Sequence, residues 1–173
     1  MLAQLTHLLP KRSLMPFLPG ASTRPALTRL ALLAAANPAV ADSLLRDPSM
    51  QDVSQHWNDL TMAIMGIGSI EPSDVLATSG NAFAAEEREA LLAQGAVGDI
   101  CHRIFRADGT LVRGELDDRI IAIPVENLMR IPRRVGVAGG ERKLEAIHGA
   151  LAGSWVTTLV TDLRSAEALA DRS

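Results

Sequence analysis

The sequence predicts an α/β fold in which a parallel sheet is covered by helices on both faces. Short apolar segments that are typical of buried strands alternate along the chain with longer segments in which apolar residues recur at helical spacing. An Asp-Gly pair between two alternating segments adds a β-hairpin insertion that lies against the sheet. The four predicted buried strands are residues 61–66, 119–124, 135–138 and 155–160.

The N-terminal part of the chain differs from the rest. We interpret residues 1–38 as a poorly defined arm and residues 39–173 as one domain, because prolines and glycines interrupt the first residues. An alanine- and leucine-rich segment at 25–36 predicts a helix within this arm. Beyond the arm, the predicted helical segments are 41–46, 50–60 with Ser49 as N-cap, 72–77, 84–94, 125–130, 141–151, and 163–171 with Asp162 as N-cap.

Composition argues against several classes of function. A net charge of -3 argues against a dedicated nucleic-acid surface, and no aromatic residue lies among the clustered Arg130, Arg133 and Arg134 to stack on bases. The single cysteine, Cys101, cannot form an internal disulfide. The four histidines lie far apart in the sequence, so we predict neither a metal site nor a cofactor.

The first residues resemble an export signal only in being apolar. Lys11 and Arg12 follow the first apolar run instead of preceding it, and prolines interrupt that run. The longest later apolar run, residues 30–41, is broken by Asn37 and Pro38 and is too short to span a membrane. We therefore expect a cytoplasmic protein with no membrane partner.

One strand-turn-helix segment is the clearest candidate for a binding site. A predicted strand runs through Gly139 and Gly140 into an amphipathic helix, whose start presents free N–H groups and the positive end of the helix dipole. Lys143 in the first turn opposes that dipole unless an anion lies in front of it. This pattern predicts an anion site. The alternative is a packing turn with Lys143 solvated beside Glu141 and Glu145.

Two other glycine-containing segments are candidates for the same site. Gly66 and Gly68 follow the strand at 61–66, where they either leave room for a ligand at the carboxyl end of a parallel strand or form a tight turn. Asp99 lies in a glycine-bounded loop at 95–101. Its carboxylate can accept hydrogen bonds from two neighbouring sugar hydroxyls, or it can cap local backbone N–H groups.

Several motifs occur together in a fixed order. They are GAVGDIC at 95–101, an F-x-x-D-G hairpin, IPRRVGVAGGERKLEAIHGAL at 131–151 and LVTD at 159–162. From about residue 39 to 170, the chain resembles the sugar-binding domain of SorC-type bacterial transcriptional regulators. The resemblance implies a Rossmann-like α/β domain related to ribose-5-phosphate isomerase and glucosamine-6-phosphate deaminase. Such regulators sense phosphorylated sugars or related metabolites and alter the DNA affinity of an N-terminal helix-turn-helix, usually as oligomers.

The resemblance also implies roles for individual residues. Asp99 matches the acidic position that the family directs at sugar hydroxyls, and Lys143 matches the basic residue that reaches the effector phosphate. Gly139 and Gly140 match the backbone turn beside that phosphate. A glycine pair that lines the same cleft is matched by Gly66 and Gly68.

The chain departs from the family pattern in length and at one site position. Family members are roughly twice as long, and neither their helix-turn-helix nor the first half of their sensing domain has a counterpart in these residues. His102 stands where a glycine is frequent. We therefore expect a truncated homo-oligomeric domain that makes no direct DNA contact and whose effector site is incomplete by itself.

The function that we predict is binding of a phosphorylated-sugar effector, together with oligomerisation, without enzymatic activity. One alternative is an enzyme of the related isomerase or deaminase class, for which Asp99 is the plausible general base. Another alternative is a dimerisation fragment that binds no ligand.

Overall fold

A parallel sheet of three strands carries the strand-turn-helix segment. The computed structural model of the protein describes residues 33–35, 37–71 and 85–172. The sheet consists of β2 (Met62–Gly66), β7 (Arg133–Val137) and β8 (Thr158–Val160), in the spatial order β2-β7-β8. Both neighbouring pairs run parallel. The α/β class and the predicted parallel sheet are therefore confirmed.

A second sheet is antiparallel. It consists of β3 (Gly68–Ser69), β4 (Ala96–Ile100) and β5 (Arg103–Arg106), in the order β3-β4-β5. The turn between β4 and β5 is Cys101-His102, and both residues have left-handed backbone angles, with φ of 54° and 59°. A two-residue turn with two positive φ angles is a type I′ hairpin. The prediction that Asp99 lies in a loop is wrong, because Asp99 belongs to β4.

The Asp-Gly turn reverses the chain as predicted. Arg106 N donates to Thr110 O at 2.9 Å, and Phe105 forms an antiparallel bridge with Leu111. Asp108 stabilises the turn, because its Oδ1 accepts hydrogen bonds from the Thr110 N–H at 2.9 Å and from the Thr110 hydroxyl. This turn therefore extends the antiparallel sheet by a single bridge.

Two predicted elements take a different form. Strand β1 (Leu33–Ala34) pairs antiparallel with β6 (Ile120–Ile121) as a separate two-stranded ribbon. The predicted helix at 25–36 is therefore wrong for Leu33 and Ala34, which form β1. Residues 25–32 and 36 lie outside the described residues. The predicted strand at 119–124 is also wrong in extent and location. Asp117–Arg119 form a 3-10 turn, and β6 contains only two residues outside the parallel sheet.

The helices follow the predicted order. They are α1 (Pro38–Leu45), α2 (Pro48–Gln55), α3 (Ala85–Ala93), α4 (Val125–Arg130), α5 (Leu144–Ala152) and α6 (Leu163–Ala170). Helix α4 has the predicted bounds, and Asp162 is the N-cap of α6 as predicted. The N-cap of α2 is Asp47 and not Ser49, because Ser49 N donates to Asp47 Oδ1 at 2.8 Å. His56–Asp59 continue as a 3-10 turn where a longer helix was predicted.

One face of the parallel sheet packs into the main core. Ala63 and Met65 of β2 share that core with Leu128 of α4, Ile147 of α5 and Leu169 of α6. The residues that alternate with them along the strands are largely exposed. Among the described residues, the helices thus cover one face of the sheet and leave the other open, so they form one of the two helical layers that were predicted.

None of the helices in the described part of the chain is long and apolar enough to cross a membrane. The helical turn predicted at 72–77 lies outside the described residues.

Candidate functional site

The predicted site residues gather at the carboxyl edge of the parallel sheet. Strand β2 ends at Gly66, β7 runs into Gly139, and β8 runs into Asp162. Open α/β sheets bind their ligands at this edge.

Lys143 is tied to the end of the first parallel strand. Its ammonium Nζ donates a hydrogen bond to the carbonyl oxygen of Ile67 at 2.9 Å, and the side chain is partly buried. The interpretation that Lys143 is merely solvated beside Glu141 and Glu145 is therefore wrong. The bond places a cation at the end of β2, 76 residues away along the chain.

Asp99 lies against Gly68. The two residues are paired across β3 and β4, and a Cβ at position 68 would lie 2.0 Å from Asp99 Oδ1. Only glycine leaves room for this carboxylate. The other oxygen, Oδ2, accepts a hydrogen bond from His102 N at 3.1 Å. The predicted capping of a local N–H is thus confirmed for Oδ2.

Asp99 and Lys143 are electrostatic neighbours. Burial raises the pKa of the Asp99 carboxyl above its ordinary value, although the charge and N–H of His102 and the charge of Lys143 oppose this effect. Gly68 packs against the Asp99 carboxylate, and the charge of Lys143 acts on that carboxylate. That these residues form an effector site stays a prediction.

The glycine turn before α5 already uses the Gly140 N–H in a hydrogen bond within the protein. Gly140 has a φ of 93°, a conformation that favours glycine. Its N–H donates to Asp162 Oδ2 at 2.8 Å and lies 2.9 Å from Ser165 Oγ. The expectation of a free N–H at Gly140 is therefore wrong, because a carboxylate of the protein already accepts it.

The sequence predicted Asp162 only as the N-cap of α6, and it did not reveal the contact between the Asp162 carboxylate and the Gly140 turn. Hydrogen bonds from the hydroxyl and N–H of Ser165, and then from the Gly140 N–H, lower the pKa of its carboxyl to about 2. A Cβ on Gly139 would lie 2.3 Å from Asp162 Oδ2, so the turn and the carboxylate fit closely. Asp162 belongs to the LVTD motif, but no signal in the sequence indicates that it contacts Gly140, which lies 22 residues away along the chain.

Gly66 has a different environment from the other predicted glycines. It is exposed at the end of β2, and a Cβ there would have no heavy atom within 4 Å. Packing among the described residues does not require glycine at this position, whereas a ligand that approaches the strand end closely would.

A cavity of about 390 Å³ lies elsewhere, lined by residues of α3, by Gln94 and Ile104, and by residues of the segment 112–120. It contains none of the predicted site residues. Its rim includes an ion pair between Arg119 and Glu87. We assign the candidate site by its chemistry, at the carboxyl edge of the parallel sheet. No group of three His, Cys, Asp or Glu side chains within the described ranges is placed to hold a metal ion.

Comparison with known proteins decides the family. The family described as "Putative sugar-binding domain" matches residues 30–170 of the chain. The chain belongs to this family of sugar-binding domains. The SorC-type resemblance is confirmed as well, since relatives and solved structures of this sugar-binding domain are SorC- and DeoR-type regulators.

Three relatives show the extent of the similarity. This sugar-binding domain is 34% identical to the deoxyribonucleoside regulator of Bacillus subtilis over 72% of this chain and 39% of that protein. It is 36% identical to the transcriptional regulator LsrR of Klebsiella pneumoniae over 75% of this chain and 41% of that protein. The structure of the full-length sorbitol operon regulator SorC from Klebsiella pneumoniae matches with a TM-score of 0.73 and 32% identity, over 80% of this chain and 44% of that one. The chain therefore spans about two fifths of the length of these relatives.

Proposed function

We propose that this sugar-binding domain binds a phosphorylated sugar and acts as the effector-sensing part of a carbohydrate-responsive transcriptional regulator. The observation that carries the proposal is the placement of Lys143 and Asp99. Lys143 lies at the carboxyl edge of the parallel sheet, and Asp99 on β4 of the antiparallel sheet interacts with it electrostatically. A sugar phosphate needs both: a cation for the phosphate and an acceptor for the hydroxyl groups.

The phosphate is bound by Lys143 and by the start of the helical segment that continues into α5. An ammonium has three donors, and the hydrogen bond to Ile67 uses one of them. The N–H of Gly140 does not contribute while Asp162 accepts it. Gly139 and Gly140 therefore contribute by the turn that their backbone forms and not by a free N–H of Gly140. Gly66 leaves space for the ligand at the end of β2.

Asp99 accepts hydrogen bonds from the hydroxyl groups of the sugar. Its Oδ2 already accepts the His102 N–H, and a carboxylate oxygen has room for a second hydrogen bond. Close packing against Gly68 fixes the position of the carboxylate, which lowers the entropy lost when a sugar binds.

The regulatory role concerns a larger protein than the described domain. Relatives named as operon or transcriptional regulators are more than twice as long as the matched region. Effector binding regulates such a protein only if the effector distinguishes two of its conformations. We propose that this chain functions in the cytoplasm as a homo-oligomer, without direct DNA contact of its own.

The test is a thermal-melting titration with matched ligands. A ligand that binds the native state raises the melting temperature, by an amount equivalent to about 2.7 kcal/mol at a hundred times its Kd. We expect ribose 5-phosphate, glucosamine 6-phosphate or another sugar phosphate to raise it, and ribose, glucosamine and inorganic phosphate to have much smaller effects. If no sugar phosphate raises the melting temperature, or if the unphosphorylated sugar is as effective, the proposal is wrong.

One observation favours a second candidate function. The backbone N–H of His102 donates to Asp99 Oδ2, and the charge of the His102 imidazole acts on the same carboxyl. An imidazole whose charge acts on a half-buried carboxylate is an arrangement that can move a proton, as an isomerase or deaminase requires. Turnover of ribose 5-phosphate or glucosamine 6-phosphate by the purified protein, abolished by His102→Ala, would establish the enzyme. Binding without turnover is what the regulator predicts.

A further inference from the structure

The parallel sheet presents one apolar face to solvent. The exposed apolar residues of this face are Met62 and Ile64 on β2, Val137 on β7 and Val160 on β8. Arg133, which pairs with Met62, and Thr158 are exposed on the same face. Alternate residues of a strand share a face, and residues paired across strands lie side by side. Gly66 pairs with Val137, and Val137 pairs with Val160. These four side chains therefore form one patch, which we call the open face.

The exposure of the open face is unusual for this kind of sheet. Parallel sheets are covered on both faces in nearly all proteins, because their strands are apolar on both sides. Ile64 in the middle of β2 is nevertheless 66% exposed, whereas Ala63 and Met65 beside it are buried. An exposed apolar patch of this kind is typical of a contact surface.

We propose that residues 1–32 of this chain cover the open face. This segment contains nine leucines, two methionines and one phenylalanine, and it contains no aspartate or glutamate. The family match begins at residue 30, so nearly all of the segment lies outside the matched residues. It is an apolar part of the chain that lies outside the described residues.

The length of the segment and the place where it ends allow this contact. It joins the described structure at Leu33, which pairs with Ile121. Thirty-two residues reach up to about 100 Å when extended, as the dimensions of the backbone dictate. A folded domain of about this size has a radius of gyration of about 14 Å. Every face of the domain is therefore within reach, and contact with the open face removes two apolar surfaces from water at once.

Limited proteolysis of the full chain tests the proposal. Trypsin cleaves after Lys11 and Arg12, and cleavage there requires the segment to leave the sheet. We expect slow cleavage at these sites in the natural protein, and cleavage faster by roughly tenfold or more in Ile64→Glu, since cleavage follows the population of the open form. Leu151→Glu is the matched control. Leu151 is 43% exposed, as is Val137, but it lies on α5 away from the open face.

A second variant keeps the test decisive if Ile64→Glu fails to fold, which circular dichroism would reveal. The double variant Leu5→Glu with Leu18→Glu changes only the segment, and we expect it to be cleaved faster at Lys11 and Arg12 as well. Equal cleavage rates in the natural protein, Ile64→Glu and the double variant would overturn the proposal. Light scattering that shows a dimer dissociated by Ile64→Glu, with cleavage rates unchanged, would also overturn it and would assign the open face to a second copy.

Discussion

The carboxylate of Asp162 accepts the N–H of Gly140 at 2.8 Å, so the glycine turn that precedes α5 already faces a negative charge supplied by the protein. The same carboxylate caps α6 through Ser165 N at 3.0 Å. One side chain therefore joins the turn after β7 to the helix after β8.

The first prediction concerns the pH dependence of this link. The hydrogen bonds lower the pKa of Asp162 to about 2 in the folded protein, below the value of about 3.9 for an unfolded chain. A depressed folded pKa contributes stability above the unfolded pKa and loses it as pH falls through the folded pKa. Asp162→Ala should therefore lower the melting temperature at pH 7, and the difference should shrink between about pH 4 and 2.

The control for that experiment is Asp171→Ala at the other end of α6. A carboxylate at a helix C-terminus is not stabilising, so this change should leave the melting temperature nearly unaltered at every pH. A constant difference between Asp162→Ala and the natural protein down to pH 2 would contradict the assigned link.

The pH dependence of Asp99 should have the opposite sign. Burial raises the pKa of its carboxyl in the folded state, so stability is highest below the unfolded pKa and falls as pH rises through the folded value. Asp99→Asn removes this fall and retains an oxygen that can accept the His102 N–H. We expect Asp99→Asn to have a higher melting temperature than the natural protein at pH 7 and no advantage below about pH 4, the range of an unperturbed Asp.

Binding should respond to the same substitution in the other direction. If Asp99 accepts hydrogen bonds from sugar hydroxyls, Asp99→Asn should weaken the ligand-induced rise in melting temperature while it stabilises the free protein. A variant that gains stability and keeps full ligand response would show that Asp99 has no part in the site.

Two glycines near the site should differ in their tolerance of a methyl group. A Cβ at Gly68 would overlap the Asp99 carboxylate, so Gly68→Ala should destabilise the protein by about 1–3 kcal/mol and displace Asp99. A Cβ at Gly66 meets no atom, so Gly66→Ala should change the unfolding free energy by less than about 0.5 kcal/mol. Urea denaturation measures both. Equal losses of stability would contradict the packing described for Gly68.

Arg134 should be essential for stability although its neighbours are not. Its guanidinium is buried and donates to the carbonyl oxygens of Met129, Ile131, Ser154 and Trp155. Arg134→Ala leaves these acceptors without their donor and should cost about 3 kcal/mol or more. Arg133→Ala, at the exposed neighbouring position, should cost less than about 0.5 kcal/mol. Urea denaturation of the two variants at neutral pH would show the contrast, and similar stabilities would contradict it.

These contacts show how far the sequence alone leads. Strands β2, β7 and β8 and helices α4 to α6 were predictable because the spacing of apolar residues and caps such as Asp162 are local signals. The family motifs then indicated the site residues. Arg134 shows the limit of such reasoning: it has the same side chain as Arg130 and Arg133, yet it alone of the three is buried.

The features that sequence reasoning missed depend on contacts between distant segments or on unusual backbone angles. The bond from Gly140 to Asp162 spans 22 residues, and that from Lys143 to Ile67 spans 76. The turn at Cys101-His102 adopts two left-handed conformations without the Asn-Gly or Asp-Gly pair that signals them. Asp99 was therefore predicted in a loop, whereas this turn makes it part of a strand.

The central claim is that Lys143 binds the phosphate of a sugar phosphate, and the most direct measurement compares two neighbouring cations. Isothermal titration with the sugar phosphate that stabilises the natural protein should show Lys143→Ala weakened by about tenfold or more, a loss equivalent to about 1.4 kcal/mol. Arg142→Ala, in the same helical turn, should retain affinity within about threefold. The account would be contradicted by equal affinity in Lys143→Ala and the natural protein, or by the failure of every sugar phosphate to bind.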